Sequence, residues 1–341
     1  MVKKAIITGI TGQDGAYLTR FLLDLGYQVY GTYRRTSTSN FWRLAELNVY
    51  GSERLKLVEV DLTDLSNCIR LVDEIRPDEI YHLAAQSHVG TSFKQPLTTA
   101  LVTGIGPVHL LEAVKLVDKS IRFYQASTSE MFGKVQQVPQ DESTPFYPRS
   151  PYGAAKLFAH CMAINYREAY GMFCSSGILF NHESPLRGIE FVTRKITDAV
   201  ARIKYGKLDC LELGNLDARR DWGYAKEYVE GMYNIIQHDE PETFVLATGV
   251  TQSVRDFIRY SFECIGVDID FSGSGVDEVG FCKKSGKQLV KINPEFFRPA
   301  EVDLLIGNAG KAKRLLGWQS NTSVQTLCEL MVQADLKRQE S

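Results

Sequence analysis

Tyr152 and Lys156 stand four residues apart at the start of a predicted helix, so their side chains share one face. A phenol titrates near pH 10, too high for a base at neutral pH. A neighbouring ammonium favours the phenolate, which can then take the proton of a substrate alcohol while hydride leaves the same carbon. Just upstream, a predicted strand runs into Ser127-Thr128-Ser129-Glu130. The Thr128 hydroxyl can hydrogen-bond the same alcohol. Glu130 is the informative residue. Simple alcohol oxidation needs no second base, whereas drawing a proton from a carbon beside a newly made ketone does. The plainer readings are a chance Y-x-x-x-K pattern and a surface carboxylate at a strand end.

Such chemistry needs a hydride carrier. Gly9-Ile10-Thr11-Gly12-Gln13-Asp14-Gly15 is a G-x-x-G-x-x-G loop between a predicted strand and a predicted helix. Its glycines permit a tight turn, and the helix N-terminus favours a pyrophosphate, so Gly9, Thr11, Gly12, Gln13, Asp14 and Gly15 are expected at a dinucleotide. An acid at the end of the second strand would hold the ribose of NAD. Residues 28–40 contain none, and Arg34 and Arg35 occupy the place, which favours the 2′-phosphate of NADP. Asp61 and Leu62 follow the third predicted strand, near the adenine. Leu83, Ala84, Ala85, Gln86 and Ser87 close the fourth, with small residues where the backbone must pass the cofactor.

The elements that position these groups alternate. Apolar runs predict strands over 5–8, 28–33, 55–60, 79–84, 121–126 and 175–180, and helical periodicity fills 16–25, 65–75, 107–117 and 154–170. That alternation predicts an α/β fold, a Rossmann-like doubly wound parallel sheet with helices on both faces. Past residue 180 regularity weakens. Gly-, Pro- and charge-rich loops are expected at 181–188, 215–222 and 293–301, and a loop or irregular hairpin at 271–280. The expected division is a cofactor domain over 1–180 with a returning segment near 216–250, and a smaller mixed α/β substrate domain from 181–215 and 251–341. A C-terminal helix over 324–336 caps it.

The chain has 341 residues and a net charge of −2, so nothing draws it to nucleic acid or an anionic membrane, and an anionic ligand must be held by a few placed cations. The first residues are too short for a signal peptide, and no apolar stretch reaches membrane-spanning length. The seven cysteines, with no C-x-x-C, read as reduced and mostly buried, consistent with a cytoplasmic protein. Cys161 reads as a packing residue. No histidines show metal-ligand spacing, and His82 reads as a satisfied core residue. From these residues alone a sugar-nucleotide epimerase, a simple oxidoreductase and an idle NADP-binding regulator all stay open.

Together the glycine loop, the run from Ser127 through Met131-Phe132-Gly133, the run Asp141-Glu142-Ser143-Thr144-Pro145-Phe146-Tyr147-Pro148-Arg149-Ser150-Pro151-Tyr152-Gly153, and the runs beginning at Gly177, Arg220 and Phe297 resemble the extended short-chain dehydrogenase/reductase family. Within it they resemble the GDP-mannose 4,6-dehydratases, along nearly the whole chain. The Thr-Ser-Glu order sets this group apart from the epimerases. The resemblance implies a lyase of deoxyhexose biosynthesis that oxidises GDP-mannose at C4, eliminates water across C5 and C6, and returns hydride to C6. It implies that Thr128, Glu130, Tyr152 and Lys156 are catalytic, and that Lys156 lowers the Tyr152 pKa. It implies that His182 and Arg187 lie at the cofactor, and that Ser87, Ser129, Asn181, Lys195, Arg220, Arg298 and Glu301 join Thr128 and Glu130 in holding the substrate. Relatives often carry a tyrosine near Pro96. Here Thr98 replaces it, and whether its hydroxyl makes the same contact stays open. Relatives form dimers or tetramers, with residues 36–43 reaching a neighbouring subunit.

Overall fold

The computed structural model describes residues 2–297, 302 and 304–340. Its centre is a sheet of seven parallel strands: β1 (Lys4–Thr8), β2 (Gln28–Tyr33), β3 (Leu55–Glu59), β4 (Glu79–His82), β5 (Arg122–Thr128), β6 (Cys174–Leu179) and β7 (Thr243–Leu246). They lie in the order β7-β6-β5-β4-β1-β2-β3. The inner strands β1, β4, β5 and β6 are buried almost end to end because both faces are covered. Helices α1 (Gln13–Asp24) and α6 (Ala225–Gln237) pack on the face that carries Ala5, Ile7 and Val29. Helices α2 (Leu65–Ile75), α3 (Gly106–Val117) and α4 (Pro151–Tyr170) cover the other face, with Ile6, Ile80 and Phe123. The strand order reverses at β1, whose neighbours are β2 and β4, and a crevice opens there at the carboxyl ends.

The second layer system is smaller. Helices α5 (Val192–Lys204), α7 (Val254–Glu263) and α8 (Val324–Glu340) pack on a four-stranded mixed sheet of Leu211–Leu213, Gln288–Ile292, Val279–Cys282 and Ile269–Ser272. Ile196, Val200, Phe257, Phe262, Val290, Leu327 and Met331 form its core. The hairpin expected over 271–280 is the antiparallel pair Ile269–Ser272 with Val279–Cys282. The chain returns to the large sheet a second time, which composition did not mark. Helix Gly310–Leu316 buries Ala312 in the core around β7 and α6, and Trp318 Nε1 donates to the Glu227 carbonyl at 2.8 Å.

Four expectations need correction. The helical run Pro96–Val117, continuous through a π turn at Ala100–Ile105, is long and apolar enough to cross a membrane by length and hydropathy, contrary to the sequence reading. Its inner face, with Leu110, Leu111, Ala113 and Val114, is instead buried on the sheet. All seven cysteines are free, but only Cys68, Cys174 and Cys328 are buried. Cys161 is exposed, because its side of α4 faces away from the sheet. His82 is buried yet satisfied at one nitrogen only: Nδ1 lies 2.8 Å from Thr8 Oγ1, and Nε2 has no partner among the described residues.

Candidate active site

The loops that leave the carboxyl ends of β1 to β6 contribute to one cleft. Gly9 takes φ +72°, and a Cβ there would sit 2.8 Å from the Ala84 Cα, so the loop after β1 and the chain after β4 touch at a spacing only glycine permits. A Cβ on Gly15 would lie 2.6 Å from the Gly9 carbonyl. Gly12 caps α1 with no side-chain hydrogen bond, which leaves first-turn N–H groups open toward an anion. Arg34 and Arg35 leave β2, Asp61 and Leu62 leave β3, and Leu83 to Ser87 leave β4, all lining the same cleft with Thr98. Asp61 accepts from Thr63 N and Oγ1 at 2.9 and 2.7 Å, and these bonds hold its carboxyl low.

The reactive groups meet where β5 and α4 converge. Ser150 Oγ accepts from Gly153 N at 3.0 Å and Pro151 fills the first helical position, which fixes where α4 begins. A Cβ on Gly153 would lie 2.7 Å from the Glu130 carbonyl, so the first turn of α4 presses directly on the end of β5. That contact delivers Tyr152. The Thr128 hydroxyl favours its phenolate, and the Glu130 charge opposes it. Thr128 Oγ1 also accepts from Glu130 N at 3.3 Å, tying the turn Ser129–Met131 to the strand end. One turn along α4, Lys156 Nζ donates to the Ala126 carbonyl at 2.7 Å.

Burial dominates the titration of this pair. It raises the Tyr152 phenol well above its ordinary value; the Thr128 hydroxyl and the Arg187 charge oppose the rise, and Glu130 adds to it. Burial also lowers Lys156 to about 8, against a smaller raising pull from Asp14. Arg187 is thus a cation that draws the phenol down here, while Lys156 turns its ammonium to the strand.

The far wall is built from the smaller sheet and its connections. Strand Asn181–Glu183 pairs in parallel with Trp222–Tyr224, which brings Asn181 beside the stretch that carries Arg220. Lys195, on the first turn of α5, stands 3.5 Å above the Phe296 ring, and burial lowers its pKa. Arg220 is buried, and Nη1 donates to the Arg219 carbonyl at 2.9 Å. The adjoining Asp221 is fully buried and accepts from Thr248, Gly249 and Gly307, so the Arg220 loop is anchored from below. Arg298 and Glu301 lie outside the described residues.

One cleft therefore gathers all the other site residues read from the sequence. His182 uses both ring nitrogens on neighbours, Asp14 and the Phe180 carbonyl. Arg43 was not singled out as a site residue. Its Nε donates to the Leu186 carbonyl at 2.7 Å and its Nη1 to the Thr11 carbonyl at 2.9 Å, clasping the glycine loop to the 184–188 turn. Arg194, also unforeseen, donates to the Pro185 and Arg187 carbonyls. Both bond to backbone, which leaves no pattern in the sequence. No group of three or more His, Cys, Asp or Glu suited to a metal occurs among the described residues.

The fold recurs in known structures. DesIV, a dTDP-glucose 4,6-dehydratase of Streptomyces venezuelae with NAD and TYD bound, aligns with TM-score 0.84 at 22% identity, over 99% of this chain and 98% of that one. RMD of Pseudomonas aeruginosa, complexed with NADPH, aligns with TM-score 0.77 at 21% identity, over 99% and 100%. Sequence relatives lie nearer. A GDP-mannose 4,6-dehydratase of Sinorhizobium fredii (strain HH103) is 53% identical over 98% of this chain and 97% of its own length. The human GDP-mannose 4,6 dehydratase is 52% identical over 98% and 91%. The family model described as GDP-mannose 4,6 dehydratase matches residues 6–331. With near-full-length relatives at half identity and a family match spanning both halves of the cleft, the chain belongs to the GDP-mannose 4,6-dehydratase family.

Proposed function

We propose that this chain is a hydro-lyase that converts GDP-α-D-mannose to GDP-4-keto-6-deoxy-D-mannose and water. The observation that carries the reading is the junction of Thr128, Glu130 and Tyr152 at the end of β5, facing the glycine loop across one cleft.

The residues fit a nicotinamide dinucleotide. The uncapped N-terminus of α1 offers donors to a diphosphate, and the buried Gln86 Oε1 and Asn181 Oδ1 lack partners among the described residues and line the same cleft. Gly9, Thr11, Gly12, Gln13, Asp14 and Gly15 would hold its diphosphate region, Asp61 and Leu62 its adenine side, and Leu83 to Ser87 with Thr98 the middle of the cleft. Arg34 and Arg35, with no acid in residues 28–40, favour NADP. Bound there, the group supplies hydride removal at C4 and hydride return at C6.

The chain's own residues handle the protons. Tyr152 accepts the O4 proton, with Thr128 holding the alcohol and Arg187 and Lys156 as nearby cations. Glu130 takes the C5 proton, made acidic by the adjacent ketone, and it and Thr128 assist departure of the C6 hydroxyl as water. Arg220 and Arg298 are the clamps for the GDP diphosphate, and Lys195, Asn181, Ser87, Ser129 and Glu301 hold the nucleotide sugar, with Arg298 and Glu301 assigned on the strength of the resemblance. A cytoplasmic homodimer or homotetramer belongs to the same reading, supported by the exposed Leu97, Leu101 and Phe158.

The test is Glu130→Gln with GDP-mannose, followed by mass spectrometry for loss of one water. The expected drop in turnover is about 10²-fold or more. Full-rate water loss from the variant would strip Glu130 of its role, and a wild-type product of unchanged mass or two mass units lighter would move the reading to epimerisation or simple oxidation.

A further inference from the structure

Asp14 puts a negative charge into the loop proposed to receive an anionic diphosphate. A bare carboxylate there opposes binding, so its environment decides whether the loop works. Asp14 Oδ2 lies 2.9 Å from His182 Nε2, and Asp14 Oδ1 accepts from Gln13 Nε2 at 3.0 Å. On the other side of the ring, His182 Nδ1 lies 2.7 Å from the Phe180 carbonyl oxygen. A carbonyl only accepts, and an ionised carboxylate only accepts. Both ring nitrogens must therefore carry protons, and His182 is an imidazolium. Its ring lies stacked on Tyr228, with centroids 4.7 Å apart.

We propose that His182 is a positioning residue whose imidazolium masks the Asp14 charge, so that the glycine loop accepts an anionic dinucleotide and stays in register with the segment that carries Asn181 and Arg187. This rests on the dinucleotide reading above. The mechanical link is doubled, because Gln13 Nε2 donates to the His182 carbonyl at 3.0 Å and Ser184 Oγ donates to Gln13 Oε1 at 2.7 Å.

The charged groups around the pair are consistent with it. His182 faces Asp14 on α1, Arg187 and Glu183 on its own segment, and the Tyr228 ring on α6; Arg187 and Glu183 pair with each other at 3.0 Å. Asp14 also feels Arg43, Lys156 and the buried phenols of Tyr152 and Tyr124. Burial pulls the imidazolium down, and the charge and hydrogen bond of Asp14 outweigh it, leaving His182 above its ordinary 6.5. Burial pushes Asp14 up, and His182 with Gln13 outweighs it, bringing the carboxyl to about 2. The signs follow. The His182 contribution is whole below pH 6.5 and is lost as pH rises through its raised value. The Asp14 contribution is present above 3.8 and is lost as pH falls toward about 2.

Two measurements on the full chain test this. Nitrogen NMR of the imidazole rings reads the charge directly. Two protonated nitrogens on His182 at neutral pH are expected, and a neutral tautomer overturns the proposal whatever the chain binds. Titration with NADP⁺ reads the consequence. His182→Gln weakens binding by about tenfold or more, the scale of one short-range charge interaction in a partly buried site. Asp14→Asn with His182→Gln restores most of it, and Asp14→Asn alone flattens the weakening that the wild type shows as pH rises. A double variant as weak as His182→Gln means lost packing rather than exposed charge and overturns the proposal. A wild type that binds neither NADP⁺ nor NAD⁺, with His182 doubly protonated, strikes the dinucleotide reading, and the mask falls with it for want of an anion to admit.

Discussion

The two walls of the cleft are made by different means. The cofactor wall is largely backbone at the diphosphate: glycine turns, an uncapped helix end and strand termini, fixed by the parallel sheet, with the Arg34 and Arg35 side chains at its edge. The substrate wall is side chain: Lys195 on the first turn of α5, and Arg220 and Asn181 on short strands, held by buried carboxylates such as Asp221 and Asp335. A backbone wall binds what every dinucleotide shares, whereas a side-chain wall can change one residue at a time and so choose a substrate. Tyr152, Thr128 and Glu130 sit at the seam, where the end of β5 meets the first turn of α4.

The sharpest way to break the comparison is at the seam. Tyr152→Phe is expected to cut turnover about 10³-fold while NADP⁺ titration is little changed, because the phenol acts on protons and not on the diphosphate. Similar losses in both would mean that the seam is not separate from the cofactor wall. On the substrate side, Asp335 is fully buried and takes Arg194, Thr197 and Arg338 together. Asp335→Ala strands buried charge and should cost about 3–5 kcal/mol in chemical unfolding. Activity should fall with it, since Arg194 also holds the 185–187 carbonyls. Replacing Arg34 and Arg35 by alanine should narrow the preference for NADP⁺ over NAD⁺ by about tenfold or more, measured as a ratio of dissociation constants. The smallest effect belongs to a cap away from the cleft. Ser253 and Asp256 form a capping box on α7, so Ser253→Ala should cost about 1 kcal/mol of stability with turnover intact.

The same contrast explains what could be read before any coordinates. Helix 65–75 and strand 28–33 coincide with the observed elements, because periodicity and buried apolar runs are local signals. The glycine loop and the Tyr152–Lys156 spacing were legible for the same reason. Arg43 was not, since a guanidinium bonded to two carbonyls has no sequence partner. Nor was the second return at Gly310–Leu316, where a short helix joins a core made by distant elements. Cys161 misled because its helix is apolar at that turn, and only the packing shows that the thiol faces outward.

Internal hydride transfer is the centre of the account, and isotope position tests it most directly. GDP-mannose carrying deuterium at C4 should yield a 4-keto-6-deoxy product with the label at C6. Label washed into solvent, label left at C4 of an epimer, or sugar recovered unaltered from chain loaded with NADP⁺ would contradict it.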